Sequence, residues 1–254
     1  MPDPHLPATF SVSALNTFLG CGRKYRYRYI ERRDPERRSA NLGFGAAVHS
    51  AIEWWATTKH ELGTSPPIEA VHRIFRADWT AQSAMEGVDF EDTPPEDWRA
   101  LGEKLLVLFT ERMKDEVFTG CEERFEIALV GKDGAVLPVP FVGVYDLLGD
   151  GFIGEVKTAA RKTGVGQWIL QLSAYSIARR KATGARPTVK VIELIKTKVP
   201  KIEVEETSLT DAQEAWFTEV AIEAYRSIEA GAFHPNPGWM CEGCEFRKAC
   251  RQAV

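Results

Sequence analysis

Residues 141–157 read Phe-Val-Gly-Val-Tyr-Asp-Leu-Leu-Gly-Asp-Gly-Phe-Ile-Gly-Glu-Val-Lys, and three of them, Asp146, Glu155 and Lys157, can do chemistry. Phe141–Leu148 is apolar except for Asp146, and Phe152–Lys157 carries Glu155 and Lys157. Gly149-Asp150-Gly151 supplies the positive-φ positions of a hairpin turn, so the two runs read as paired strands. Alternation along a strand sends Glu155 and Lys157 to one face and Val156 to the other. Pairing then brings an Asp, a Glu and a Lys together on an apolar sheet.

Two carboxylates so placed repel each other, and burial makes each more costly. A divalent cation removes both difficulties. Mg²⁺ or Mn²⁺ prefers carboxylate oxygen, can lower the pKa of a bound water and can clamp a phosphodiester. Lys157 can orient that water or neutralise charge building on the phosphate. Taken alone, the pattern is also that of a hairpin carrying charges on its solvent face, which is the commoner case.

Cys241-Glu-Gly-Cys244-Glu-Phe-Arg-Lys-Ala-Cys250 is a second chemical cluster. Its C-x2-C-x5-C spacing supplies three thiolates of a four-thiolate site. Cys21 and Cys121 are the candidates for the fourth. Cys21 lies between glycines, in a turn that suits a ligand; Cys121 is read at a helix end before a strand, in a core context. Such sites hold zinc or an iron–sulfur cluster, and spacing does not separate the two. A third cluster is basic: residues 23–38 hold eight Arg/Lys against three acids, with Tyr25, Tyr27 and Tyr29 between arginines. This suits a nucleic-acid strand through phosphate pairing and base stacking, and equally a solvated segment whose tyrosines pack inward.

The elements that must position these groups follow from periodicity. Residues 1–10, with three prolines, read as an irregular arm. A short helix capped by Ser11 or Ser13 runs to about 19, and longer ones cover about 43–62, 68–85 and 95–118. His49 sits beside the Val48, Ile52, Trp55 stripe of the first long helix, where a lone histidine is more often a packed residue than a ligand. Residues 86–95 read as an acidic loop and 123–130 as a strand. After the hairpin, a helix over about 167–181 places Gln171 and Tyr175 at i, i+4 on one face. Strands 188–196 and 201–207 and a helix from Thr210 to about Gly231 complete an α/β pattern.

The 254 residues suffice for one large domain or two small ones, and 44% hydrophobic with 27% charged residues is ordinary for a globular chain. A net charge of −4 excludes a general polyanion binder, so any nucleic-acid site must be a local patch. The sequence has no apolar run long enough to span a membrane and no secretory signal, so we expect a cytoplasmic chain whose five cysteines are free, catalytic or metal-bound.

The ordered set Cys21 with Tyr25, Gly45-x-x-Val48-His49, Gly143-x-x-Asp146, Glu155-Val156-Lys157, Gln171-x3-Tyr175, and Cys241, Cys244, Cys250 resembles the RecB-type nucleases of the PD-(D/E)XK superfamily. It is similar in particular to the branch with an iron–sulfur staple, which includes the AddB nuclease domain and the CRISPR-associated exonucleases. The resemblance implies a restriction-endonuclease-like core: a mixed central sheet flanked by helices, in a single domain 1–254. A helical insertion at 63–120 and an iron–sulfur segment at 235–254 would be added to it. It implies His49, Asp146, Glu155 and the Val156 carbonyl as ligands of Mg²⁺ or Mn²⁺, Lys157 as catalytic lysine, and Gln171 and Tyr175 as the nuclease-end motif. Cys21, Cys241, Cys244 and Cys250 would hold a [4Fe–4S] cluster, leaving Cys121 a bystander. The expected activity is metal-dependent hydrolysis of DNA from the ends of single strands, in recombination, repair or processing, with Arg23, Lys24, Tyr25 and Arg26 along the strand. The insertion offers a surface for a protein partner. The competing readings are a non-catalytic DNA-binding adaptor that keeps the fold and an RNA-processing nuclease.

Overall fold

The computed structural model describes residues 6–91 and 93–252. Residues 1–5 of the proline-bearing arm, Asp92 of the acidic loop and the last two of the tail lie outside it. In chain order the elements are β1 (Phe10–Ser11), α1 (Val12–Gly20), α2 (Gly22–Tyr25), a π turn (Arg26–Ile30), β2 (Arg38–Ser39), α3 (Ala40–Leu62), α4 (Ile68–Ser83), β3 (Val88–Asp89) and α5 (Pro95–Arg112). Then follow β4 (Phe118–Ile127), β5 (Phe141–Gly149), β6 (Phe152–Ala159), a 3₁₀ turn (Val165–Trp168), α6 (Ile169–Thr183), β7 (Thr188–Ile195), β8 (Lys201–Thr207), α7 (Asp211–Glu229), a second 3₁₀ turn (Trp239–Cys241) and α8 (Arg247–Gln252).

These elements gather into two compact units. One comprises Arg38–Arg124 and Val144–Leu209; the other comprises the chain up to Arg37, Phe125–Gly143 and the chain from Thr210 onward.

The first unit is built on a mixed sheet. Gly151 at φ +75° closes the turn after β5, and β6 returns antiparallel with Leu147 facing Gly154. β6 and β7 run parallel over eight pairs, from Phe152↔Thr188 to Ala159↔Ile195, with α6 in the connection. β8 pairs antiparallel with β7, from Val189↔Thr207 to Ile195↔Lys201. Alternation divides the two faces. Val156, Ile192 and Leu194 join Phe44, Val48, Trp55, Phe75 and Leu105 of α3, α4 and α5 in the large core. Val189 and Val191 pack with Leu172 of α6 and Leu209. Glu155 and Lys157 stand in the rows of Val191 and Glu193, so they share the face that α6 covers.

The segment read as an insertion contributes core. α4 and α5 pack on α3 through Phe44, Phe75, Trp79 and Trp98, whose rings meet at 5.0–6.2 Å. α5 ends at Arg112, six residues earlier than apolar spacing suggested, and Phe118 opens β4. β4 accordingly covers 118–127 where the sequence suggested 123–130, and Cys121 lies in this strand instead of at a helix end. In the other unit, β1 lies parallel to the start of β5, with Phe10 opposite Phe141, so the proline-bearing arm ends in a strand. α7 begins with a capping box between Thr210 and Gln213.

Gly102 sets how closely α5 approaches α4. A Cβ built there lies 2.1 Å from Cζ of the buried Phe75. Alanine would gain about 1 kcal/mol in helix propensity, but the ring is locked among buried neighbours and overpacking costs about 1–3 kcal/mol. We therefore expect Gly102→Ala to lower stability in urea unfolding, and Phe75→Leu in the same chain to recover part of the loss. A stabilised Gly102→Ala protein would show that the ring moves freely.

Candidate functional site

The site is built where the β5–β6 hairpin meets α3 and α6, all within one unit. β6 carries Glu155 into the sheet interior with no exposed surface. The carboxylate lies against the Lys157 ammonium, yet neither oxygen has a well-formed hydrogen bond. Asp146 of β5 accepts the Val156 N–H at 2.8 Å through Oδ2, while its Oδ1 lies 3.8 Å from His49 Nδ1. His49 reaches the site from α3, one helical position after the buried Val48.

The electrostatics follow from burial. Desolvation, then repulsion by Asp146, pushes Glu155 up to about 7. Desolvation raises Asp146 to about 6, against the pull of Lys157 and the Val156 N–H. Burial pushes Lys157 down, but the carboxylates of Glu155 and Asp146 outweigh it and hold the ammonium above its ordinary range. Burial, then Lys157, lowers His49, so its imidazole is neutral at pH 7 and free to bind a cation.

Gln171 and Tyr175 stand together on α6 as their spacing suggests. Gln171 Nε2 donates to the Tyr175 hydroxyl at 2.8 Å, and the hydroxyl donates to the Val144 carbonyl at 2.5 Å. Tyr175 is buried against Tyr145 and carries a pKa well above the ordinary value, from burial and then from Glu155. The two residues thus tie α6 to β5 beside the carboxylates.

Sequence reasoning missed Glu122. It sits in β4 at φ +49°, a left-handed conformation uncommon for a side-chain-bearing residue. His49, Glu122 and Asp146 each offer a ligand atom within 4.8 Å of the others, the one such group of three among the described residues. Burial, then Glu53 and Glu155, raises the Glu122 pKa. Glu122 lies in the acidic run Glu122-Glu123 of β4, but that run does not tell which glutamate lies near His49 and Asp146.

The cysteines form a separate place in the other unit. Cys21, Cys241, Cys244 and Cys250 all line one cavity of about 410 Å³, together with Arg23, Lys24 and Tyr27. Cys21 Sγ accepts the Asn236 N–H at 3.4 Å. Cys121 is not among its walls; burial pushes that thiol up to about 11.

Residues 22–30 form α2 and the π turn, which bury Tyr25 and Tyr27 and leave Tyr29 half-buried, as the inward-packing reading of this stretch expects. Tyr25 is fully buried and packs on Phe18, Tyr29 and Phe233, so it offers no ring face to a base. Lys24 pairs with Glu245 at 2.8 Å, Arg26 with Glu31 at 2.6 Å and Arg28 with Glu245 at 2.5 Å. Arg23 donates to the Phe233 carbonyl and borders the cysteine cavity. Of the proposed track, Arg26 alone keeps a half-exposed side chain. No described helix is long and apolar enough to cross a membrane.

The crystal structure of an Eubacterium rectale protein, whose exonuclease assignment is itself provisional, matches at TM-score 0.62 and 15% identity over 97% of this chain and 88% of that one. That likeness is one of fold. The crystal structure of SSO0001 covers 97% of this chain and 87% of its own at 15% identity, but its TM-score of 0.45 is too low to argue from. No curated protein matches. The family model of the PD-(D/E)XK nuclease superfamily matches residues 9–251, and the chain belongs to that superfamily.

Proposed function

We propose that the chain is a RecB-like, divalent-metal-dependent DNA exonuclease acting on single strands from an end, stapled by a [4Fe–4S] cluster. The observation that carries the catalytic reading is the fully buried, poorly bonded Glu155 carboxylate beside Asp146 and Lys157. Two raised carboxylates beside a single lysine are an unstable charge arrangement without a cation. Asp146, Glu155, His49 and the Val156 carbonyl would hold Mg²⁺ or Mn²⁺; of these, His49 and Asp146 already lie within ligand distance of each other, together with Glu122 and not Glu155. The cation would polarise the scissile phosphate and acidify a water. Lys157 orients the attacking water or offsets charge on the phosphate, and Tyr175 with Gln171 keeps the carboxylate wall closed on the α6 side.

Expected consequences for the site are direct. Asp146→Asn, Glu155→Gln and Lys157→Ala should each lower cleavage by about 10²–10⁴-fold, with the fold kept. The carboxylate variants should also weaken Mn²⁺ binding in calorimetry, whereas Lys157→Ala should not. Wild-type rates in any of the three would remove that residue from the assignment, and a wild-type chain that binds DNA without cleaving it would favour the adaptor reading.

The raised carboxylates also set a pH dependence. A carboxyl whose folded pKa exceeds its unfolded value favours the folded state while protonated. That contribution is complete below the ordinary carboxylate range and is lost as pH rises towards about 6 for Asp146 and about 7 for Glu155. Metal must displace those protons. Mn²⁺ affinity should therefore rise from pH 5 to pH 8, with proton release visible as a buffer-dependent heat. A pH-independent affinity would show that the two groups are ionised before metal arrives.

For the staple, Cys21, Cys241, Cys244 and Cys250 line one cavity, which supports a shared four-thiolate site. Closing the loop from Cys21 to Cys241 restricts the unfolded chain. Anaerobic protein should carry iron and sulfide at about four each per chain, Cys121→Ser should keep the brown colour, and Cys244→Ser should lose it. One zinc in a colourless protein would replace the cluster.

Substrate choice rests on net charge and on the pairing of the basic stretch. A chain of net charge −4 with its basic stretch tied into ion pairs has little to hold a duplex along its length. Linear single-stranded DNA should be degraded with Mg²⁺ or Mn²⁺. Equal rates on closed circles would indicate an endonuclease, and preference for RNA of the same sequence would move the substrate class.

A further inference from the structure

Lys157 is held on two sides. Glu155 takes one, and the indole ring of Trp168 takes the other, with the ammonium 4.8 Å from the ring centroid. A cation over an indole face is attracted by the ring quadrupole. Trp168 comes from the 3₁₀ turn before α6 and packs partly on Leu172, Val189, Val191 and Leu209. Its edge is fixed separately: Nε1 donates to Thr163 Oγ1 at 3.0 Å.

Thr163 is itself anchored to Glu193, a glutamate only 1% exposed and unused by the proposed reaction. The Glu193 carboxylate accepts the Thr163 N–H at 3.0 and 3.1 Å and the Gly164 N–H at 3.2 Å. It also accepts the Thr163 hydroxyl. Gly164 has φ +73°, so the backbone turns there in a conformation that a side chain would strain. A buried carboxylate is tolerated because charge-assisted bonds replace its water. The Thr163 hydroxyl donates to Glu193 and accepts from Trp168, which polarises the two bonds in one direction. Glu193 also stands directly beside Lys157 in the parallel β6–β7 register, on the same face of the sheet.

We infer that Glu193 is a positioning residue for Lys157, acting through a latch of Thr163 and Trp168. The latch fixes the 163–168 segment to the sheet and sets the indole over the ammonium. Lys157, which retains some exposure, is thereby kept directed at Glu155 instead of turning to solvent. This rests on the reading of Lys157 as the lysine of a nuclease site.

The test uses the full chain with Mn²⁺ and end-labelled single-stranded DNA. Its variants are Thr163→Val, Glu193→Gln, Trp168→Ala, Trp168→Phe and the Thr163→Val/Trp168→Ala pair. Trp168→Phe also assigns the Trp168 indole resonance. In wild type that indole N–H should exchange slowly; in Thr163→Val and Glu193→Gln it should exchange freely. Thr163→Val, Glu193→Gln and Trp168→Ala should each lower kcat about ten- to a hundredfold, with KM and Mn²⁺ affinity within about twofold of wild type. Trp168→Phe keeps a ring face and should recover most of the rate. The double variant should be no slower than Trp168→Ala alone, since both act through one ring. If Glu193→Gln fails to fold, Thr163→Val carries the test, because Thr163 is exposed. A wild-type kcat in Thr163→Val, additive losses in the pair, or Trp168→Phe as slow as Trp168→Ala would each overturn the latch. A wild type that protects the indole but cleaves nothing overturns the nuclease reading instead.

Discussion

A carboxylate with no exposed surface has to be balanced by something, and Glu155 is balanced incompletely. Lys157 supplies one positive charge, while Asp146 opposes it from the neighbouring strand and Glu122 adds a third acid within reach of His49. In water such a cluster would dissipate; on a sheet between two packed faces it cannot. Three outcomes are open to it: protonation, a bound cation, or structural collapse. The surrounding architecture removes the third. Val156, between the two charged residues, is fully buried in the larger core, so β6 cannot shift without exposing that core. The apolar partners of one face therefore hold the strained electrostatics of the other.

Gln171 and Tyr175 gain a purpose from the same constraint. A tyrosine hydroxyl that donates to the Val144 carbonyl cannot also swing away from β5, and the glutamine amide holds it from behind. Burial raises the Glu155 carboxyl and Asp146 adds to the rise, while Lys157 and then Tyr175 act against it. The site's reactivity thus depends as much on an uncharged wall as on the charged residues themselves.

How much of this is legible in the chain depends on distance along it. The hairpin could be read because its strands alternate and Gly149-Asp150-Gly151 marks the turn; the i, i+4 spacing of Gln171 and Tyr175 predicted their contact. Tyr25 stood between stacking on a base and packing inward because spacing alone does not give the direction of a ring; a helix and a π turn bury it together with Tyr27. The end of α5 misled because apolar spacing continues from Leu105 through Met113 to Phe118 across a break that only the fold imposes. Glu122 was illegible for a stronger reason: its position depends on a left-handed φ that its own residue type does not favour.

The cysteines show the opposite case. Their spacing along the tail was readable, but the candidate that could join them, Cys21, lies 220 residues before Cys241. The structure brings Cys21 to the same cavity wall as Cys241, Cys244 and Cys250 and leaves Cys121 in β4 with its thiol pushed up by burial. Glu245, placed between the second and third tail cysteines, pairs with Lys24 and Arg28, and Glu36 accepts the backbone N–H groups of Lys248 and Ala249. The basic stretch that reads as a nucleic-acid track is therefore largely occupied in joining the two ends of this unit. An arginine-rich segment close in sequence to a metal-type cysteine has two demands on its charge, and here the acidic residues of the tail meet the first before any phosphate can arrive.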